Sequence, residues 1–136
     1  MVTQKYINDL SYVIVGCAIE VHKYFGPGLL ESVYEECLIS ELRLNGLDVK
    51  PQVEIPLEYK GKRLNSNLRI DVLVNDLIVI EIKAVEKVLP VHKAQLLSYL
   101  KLTNKPKGLL INFNCETIVN DLVPLVTEEF SKLLKE

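Results

Sequence analysis

One short apolar segment of the chain carries an acid and an amine that could take part in chemistry. The run Leu77–Ala84 is rich in Val and Ile, which is typical of a strand covered on both faces, yet it contains Glu81 and Lys83. These two side chains point to the same face, because side chains alternate along a strand. A buried charge needs a partner or a metal ion, since burying it alone costs free energy. The segment therefore predicts either a Glu81–Lys83 salt bridge at a strand end or part of a reactive site.

A second carboxylate, Asp71, lies on the preceding apolar segment, and the turn between the two segments decides where it points. Leu68–Val74 is followed by Asn75-Asp76, a favourable turn pair, so we expect an antiparallel hairpin. A two-residue loop would place Asp71 opposite Ile80, on the other face from Glu81. A three-residue loop places Asp71 directly opposite Glu81, with Cβ atoms about 4.5–5.5 Å apart. We predict the second register, because it also gathers on one face Ile70, Val72, Val74, Ile78, Ile80 and Ile82.

Two carboxylates in this arrangement repel each other unless one is protonated or a cation lies between them. Mg²⁺ prefers such an all-oxygen environment, so Asp71 and Glu81 predict a divalent-cation site. The sequence contains no zinc-ligand spacing and no pattern of a nucleophilic triad. The two acids are therefore the leading candidates for chemistry.

Changes in hydrophobic periodicity define the elements that must hold these residues in place. Apolar residues three and four apart predict helices, and Val- and Ile-rich or alternating runs predict strands, with proline and glycine marking the ends. In chain order we expect helices over Tyr6–Phe25 and Leu30–Leu42, strands over Gln52–Tyr59, Leu68–Val74 and Leu77–Ala84, a helix from Pro90 that ends before Asn104, a strand over Gly108–Phe113 and a closing helix over Val119–Leu134. This order, α-α-β-β-β-α-β-α, indicates a mixed α/β domain with helices packed on a small sheet.

Length and charge narrow the class of protein. The 136 residues suffice for one domain with its own core, so we expect residues 1–136 to form a single domain. No apolar run is long enough to span a membrane and the first residues lack signal-peptide features, which predicts a cytoplasmic protein.

Residues 60–70 and 83–107 hold ten of the 16 Lys and Arg residues and one acid, Glu86, leaving +9 there and −11 elsewhere. This distribution is either a solvated face or the footprint of a polyanion.

Three motifs in order resemble a known superfamily. Arg69-Ile70-Asp71, a ten-residue step to Glu81-Ile82-Lys83, and then Gln95-Leu-Leu-Ser-Tyr99 on a helix are similar to the PD-(D/E)xK nucleases, with the QxxxY element of their exonuclease-like branches. Gly28-Leu-Leu-Glu31-Ser-Val-Tyr34 is similar to the pattern that names the small GxxExxY proteins of bacteria and archaea. The similarity runs from about Ile19 to Asn114. One departure is Ile70, which stands where the superfamily has a proline.

The resemblance implies a restriction-endonuclease-like core and assigns roles to the candidate residues. Asp71 and Glu81 would hold Mg²⁺, with Mn²⁺ as an alternative, and Lys83 would position or deprotonate the attacking water. Glu31 would contribute a further acid to metal binding or catalysis, although a carboxylate there could simply complement a helix N-terminus. Gln95 and Tyr99, four residues apart on one helix face, would point toward the metal, their alternatives being a surface amide and a core tyrosine.

The leading functional hypothesis is a Mg²⁺-dependent nuclease that hydrolyses phosphodiester bonds, with DNA favoured over RNA as substrate. The candidate nucleic-acid-binding residues come from the basic segments: Lys60, Lys62, Arg63, Arg69, Lys87 and Lys93. The second hypothesis is a catalytically inactive module on the same fold that binds nucleic acid or protein, and the third is a structural subunit. A homodimer is an open alternative to a monomer.

Overall fold

Five strands form one sheet in the order β1-β2-β3-β4-β5, and helices cover both of its faces. The computed structural model describes all 136 residues. The elements in chain order are α1 Gln4–Phe25, α2 Glu31–Leu44, β1 Val49–Tyr59, β2 Lys62–Val74, β3 Ile78–Lys83, α3 Pro90–Thr103, β4 Lys107–Asn112, α4 Ile118–Asp121, β5 Val123–Val126 and α5 Glu128–Ser131. None of the helices combines the length and the apolar character needed to cross a membrane.

The sheet is mixed because α3 returns the chain between two parallel strands. β3 and β4 are parallel, whereas β1–β2, β2–β3 and β4–β5 are antiparallel. One apolar core lies between the sheet and helices α1 and α2. A smaller core lies on the opposite face, where α3 packs through Leu96, Tyr99 and Leu100. β3 therefore lies between helices on both faces of the sheet.

The predicted boundaries of the three long helices are confirmed to within a few residues. α1 ends where Gly26 adopts a φ of 67°, which a residue without a side chain accepts readily. Pro90 opens α3, where its missing N–H would have no helical partner, and Asn104 ends that helix in the left-handed conformation. The local sequence signals and the tertiary structure agree at these positions.

The predicted register between β2 and β3 is also confirmed. Val72 pairs with Ile80, Leu73 with Val79 and Val74 with Ile78, which corresponds to the three-residue loop. This register directs Asp71 toward the end of β3 that carries Glu81. The two strands separate immediately afterwards, so that residues 62–70 of β2 pair only with β1.

The prediction that Ile70 shares a face with Val72 and Val74 is wrong. Ile70 packs in the core beneath α3, whereas Val72 and Val74 pack in the core beneath α1 and α2. The alternation breaks here because of Gln52 in β1, which lies between the partners of Val72 and Ile70 and has a φ of 51°. A left-handed residue in an extended strand bends the backbone, so both strands change faces there. No sequence pattern marks a glutamine for this conformation.

The prediction of a closing helix over Val119–Leu134 is also wrong. Two single-turn helices, α4 and α5, flank the edge strand β5, which pairs antiparallel with β4. Pro124 lies in β5 opposite Leu109. Proline cannot donate the hydrogen bond that a helix interior needs, whereas an edge strand tolerates it. The observed order of elements therefore has a fifth strand that the sequence pattern did not reveal.

Candidate active site

Asp71 and Glu81 meet where β2 and β3 separate. The backbone N–H of Ile82 donates to Asp71 Oδ2 at 2.9 Å, which fixes the Asp71 carboxylate beside the end of β3. Glu81 is buried, with 5% of its surface exposed, and its Oε1 atom has no hydrogen-bond partner. A buried carboxylate oxygen without a donor is unfavourable, because it has lost its water and gained nothing in return.

The electrostatic environment favours the neutral form of Glu81. Burial, and next the charge of Asp71, raise the pKa of Glu81 to about 8, against an ordinary value of 4.5. The positive charge of Lys83 opposes this shift but is outweighed. The pair is therefore poised to release a proton when a cation binds, since a cation favours the ionised carboxylate.

Lys83 lies at the end of β3 without a carboxylate in contact. It is half-buried, and none of the four ion pairs in the structure includes Lys83 or Glu81. The simple salt bridge that the sequence left open is thus not formed. Its backbone is well held, because the Lys83 carbonyl accepts a hydrogen bond from the Phe113 N–H at 2.9 Å. The ammonium remains available to another group.

Glu31 approaches the same strand end from helix α2. It is the first residue of that helix and is exposed, and its Oε2 accepts a hydrogen bond of 3.4 Å from the backbone N–H of Ala84. The preceding turn is held by Tyr34, whose hydroxyl donates to the Gly26 carbonyl at 2.6 Å and accepts from the Leu29 N–H at 3.1 Å. Glu31 therefore lies beside the segment that follows Lys83.

Gln95 and Tyr99 occupy one face of α3 and bond to each other. Gln95 Nε2 donates to the Tyr99 hydroxyl at 2.9 Å. Tyr99 is buried, and its pKa is raised first by burial and next by the negative charge of Glu81. Asp71 adds to this shift, so the hydroxyl lies within electrostatic range of both carboxylates. Gln95 itself is exposed.

Two further polar residues at the site were missed by the sequence analysis. Glu35 lies one turn beyond Glu31 on α2, and both of its carboxylate oxygens accept from Gln52 Nε2 at 2.8 Å. Burial raises the pKa of Glu35, and the charges of Asp71 and Glu31 raise it further. The four-residue spacing from Glu31 could have indicated Glu35. Gln52 has no such signal, because its position depends on the bend in β1.

The candidate nucleic-acid-binding residues divide into two groups. Lys60, Lys62 and Arg63 are exposed at the tip of the two-stranded arm formed by residues 53–70, and Lys60 lies 5.4 Å from the centre of the Tyr59 ring. Arg69, on the same arm, pairs with Glu54 at 3.8 Å.

The second group lies beyond β3. Lys87 and Lys93 are exposed and line a shallow depression with Asn120 and Asp121. Not all of the second basic segment faces the site, because Lys105 pairs with Asp76 at the opposite end of β3, at 3.0 Å.

The donor set at the end of β3 suits a hard divalent cation, although it is not a closed cage. Asp71 and the unpartnered Glu81 Oε1 supply carboxylate oxygens, which such ions prefer. No group of three or more His, Cys, Asp or Glu side chains gathers closely enough to hold a metal ion by itself. A cation here would therefore complete its coordination with backbone oxygens, water or substrate.

The fold and this site together define a class of protein. A five-stranded mixed sheet flanked by helices is consistent with a restriction-endonuclease-like fold. A model of the PD-(D/E)XK nuclease superfamily matches residues 8–123, and the chain belongs to that superfamily.

The comparisons with individual proteins are sparser. Among solved structures, the chain is similar to one described as "Crystal structure of SSO0001", with 28% sequence identity and a TM-score of 0.55. The match covers 74% of this chain and 53% of the other, so this chain spans about half the length of SSO0001. The comparison with curated proteins gives no match.

Proposed function

We propose that this protein is a Mg²⁺-dependent nuclease that hydrolyses phosphodiester bonds, with its active site at the end of β3. The observation that carries the proposal is the buried Glu81 carboxylate, which has an unpartnered oxygen and lies beside a second carboxylate. A structural role does not account for this arrangement, because two adjacent carboxylates in a poorly solvated site destabilise the fold. Membership of a nuclease superfamily supports the same proposal.

Each residue of the site has a task in this reaction. Asp71 and Glu81 hold the cation, which when bound stabilises negative charge on the phosphate and lowers the pKa of a water molecule. Lys83, free of a carboxylate partner, orients the water and offsets charge on the phosphate as an ammonium, or receives the proton of the water as a neutral amine. Gln95 and Tyr99 orient the substrate from α3. Glu31 is either a further acid at the cation or the residue that holds Ala84 in place.

The substrate proposal follows from the distribution of basic residues. The arm tip with Lys60, Lys62 and Arg63, together with Arg69, Lys87 and Lys93, provides contacts for a phosphate backbone. We propose DNA as the substrate, Mg²⁺ or Mn²⁺ as the ion, and residues 1–136 as a single domain. A cytoplasmic location and a homodimer stay predictions.

One observation favours the alternative of a catalytically inactive binding module. Asp71 Oδ2 already accepts a hydrogen bond from the Ile82 N–H, which leaves fewer oxygens for a cation. Isothermal titration of Mg²⁺ separates the two functions. The nuclease should bind Mg²⁺, lose binding in Asp71→Ala, and cleave labelled single-stranded, duplex or branched DNA only with the ion. An inactive module should bind nucleic acid equally well with and without Mg²⁺ and cleave none of these substrates.

A further inference from the structure

The side chain of Asn112 is a buried polar group at the end of β4, directly beside the candidate site. Asn112 pairs with Lys83 in the parallel β3–β4 ladder, and none of its surface is exposed. Its Oδ1 atom accepts from the backbone N–H groups of Val85, at 3.0 Å, and Asn114, at 3.2 Å. Its Nδ2 atom donates to the Val85 carbonyl at 2.9 Å and to Asp121 Oδ2 at 3.1 Å. Oδ1 therefore accepts two hydrogen bonds and Nδ2 donates two, which is the full number that the amide can make.

This bonding pattern holds the backbone of Val85, two residues after Lys83. The carboxamide contacts both the N–H and the C=O of Val85, as a neighbouring strand would, although β3 has already ended at Lys83. The Lys83 carbonyl is held by the Phe113 N–H and the Ala84 N–H by Glu31. Of these three tethers, only that of Asn112 fixes the segment in two directions. The Lys83 carbonyl thus has its own bond to Phe113, whereas the Val85 backbone, two residues further on, is held through one buried amide.

We propose that Asn112 is a positioning residue, which sets the location of Lys83 by clamping Val85 and which connects this segment to α4 through Asp121. An amide is required, because the clamp uses a donor and an acceptor on one side chain. Aspartate has nearly the same shape but lacks the donor, and it would place a second negative charge next to Asp121. The kinetic part of this inference rests on the proposed nuclease function, whereas the mobility of residues 83–85 can be measured without any activity.

The test uses Asn112→Asp alone and combined with Asp121→Asn. In the double variant, the amide introduced at position 121 can donate to the carboxylate introduced at position 112, which removes the repulsion and restores the connection to α4. The Val85 carbonyl still lacks its donor. We therefore expect the thermal midpoint lost in the single variant to recover largely in the double variant, while the backbone order parameters of Lys83, Ala84 and Val85 in metal-free protein stay lowered.

The kinetic readout separates positioning from general stability. In the double variant kcat should stay reduced at least ~10-fold, with KM for DNA and the affinity for Mg²⁺ nearly unchanged, because misplacing a reacting group by about 1 Å can cost ~10²-fold. Asn75→Asp is the matched control. Asn75 also uses both amide atoms, bonding the Asp48 N–H and the Tyr6 hydroxyl at the opposite end of the sheet. That variant should lose stability but keep kcat.

Each outcome bears on one of the two proposals. Recovery of kcat together with the thermal midpoint, or unchanged order parameters at residues 83–85 in the double variant, would overturn the positioning role. If the wild type binds Mg²⁺ but cleaves nothing, the proposed nuclease function fails. In that case the order parameters still decide whether Asn112 positions Lys83.

Discussion

At Glu81, stability and the proposed function require different forms of one side chain. The ionised carboxylate is unfavourable in its buried site beside Asp71, whereas cation binding requires the ionised form. Its folded-state pKa of about 8 lies above its ordinary value of 4.5, so the folded protein holds this proton more tightly than the unfolded chain does. The contribution of this raised pKa to the free energy of unfolding is fully present below pH 4.5 and is lost as the pH rises toward 8. The groups that set this dependence are Asp71, Lys83 and the Glu81 carboxyl itself.

Glu81→Gln should abolish Mg²⁺-dependent cleavage and make the metal-free protein less sensitive to pH. Glutamine cannot ionise, so the variant should gain stability relative to the wild type as the pH rises from 5 to 8. The gain at pH 8 should be on the order of a few kcal/mol, because one pKa unit corresponds to ~1.4 kcal/mol. Urea denaturation in EDTA at several pH values measures this difference.

Glu129→Gln is the control for this experiment, because Glu129 forms a surface ion pair with Lys132. Exposed pairs contribute little to stability, so its denaturation curves should follow those of the wild type at each pH. A constant stability difference between Glu81→Gln and the wild type across this pH range would contradict a Glu81 carboxyl that holds its proton more tightly in the folded state. Full cleavage activity in Glu81→Gln would assign the chemistry to other residues.

Lys83→Met should slow the chemical step while leaving Mg²⁺ binding intact. The positive charge of Lys83 acts on Glu81 without an ion pair between them, and the loss of a positioned proton-transfer or charge-stabilising group typically costs ~10²-fold in rate. Single-turnover cleavage and Mg²⁺ titration on one preparation test both parts.

Lys93→Met provides the comparison for Lys83→Met, because Lys93 is an exposed lysine on α3. As one phosphate contact among several, it should lower DNA affinity and reduce the salt-dependence slope by about one unit, with cleavage at saturating substrate unchanged. Equal effects of the two substitutions on the single-turnover rate would argue against a special role for Lys83.

At the level of residues, sequence could predict the partners that share a strand or a hairpin. Asp71 and Glu81 follow from alternation and turn chemistry, because the register of a short hairpin is a local property. Gln52 and Asn112 reach the site only through long-range packing, since Gln52 contacts Glu35 from the bend in β1 and Asn112 contacts Val85 beyond the end of β3. No local pattern specifies such contacts.

The turn between α1 and α2 determines where helix α2, and with it Glu31, begins. Tyr34→Phe removes the hydroxyl that bonds Gly26 and Leu29 but retains the ring that stacks on Phe113 at 4.6 Å. We expect a loss of about 1–3 kcal/mol, the usual cost of leaving partly buried groups unpaired. Tyr12→Phe on the exposed face of α1 should change stability little. Equal urea midpoints for the two variants would mean that the hydroxyl does not hold the turn.

The elements themselves are predictable where their signals are local. Gly26 and Pro90 mark helix ends through backbone chemistry that operates in any context. The sequence after Asn114 is ambiguous, because its apolar residues fit a helix as well as a short strand. Pairing of β5 with β4 decides the outcome, and Thr127 extends it through its N–H bond to the Pro106 carbonyl at 3.1 Å. Edge pairing is a tertiary interaction that overrides weak local preference.

On the scale of the whole molecule, charge is separated more strongly than the net value of −2 suggests. The arm of residues 53–70 carries three exposed cations at its tip, and β3 does not pair with this part of β2. Val53, Ile55 and Leu68 of the arm pack against the smaller core, to which α3 contributes, and this connects the base of the arm to the sheet. In the proposed nuclease, the tip would contact a phosphate backbone at a distance from the carboxylates.

Replacing Lys60, Lys62 and Arg63 together by Gln should weaken DNA binding without affecting Mg²⁺ affinity. If each side chain neutralises one phosphate, the slope of log K against log salt should fall by about 2.7 for duplex DNA and about 2.1 for a single strand. The control replaces Lys5, Lys132 and Lys135 by Gln, which changes the net charge equally near the contact between the first and last residues of the chain. An equal loss of affinity in both triple variants would show that overall charge attracts the DNA. A loss of affinity confined to the arm variant would identify the arm tip as the binding surface. A slope change of about 2.7 would indicate that it prefers duplex DNA, and one of about 2.1 that it prefers a single strand.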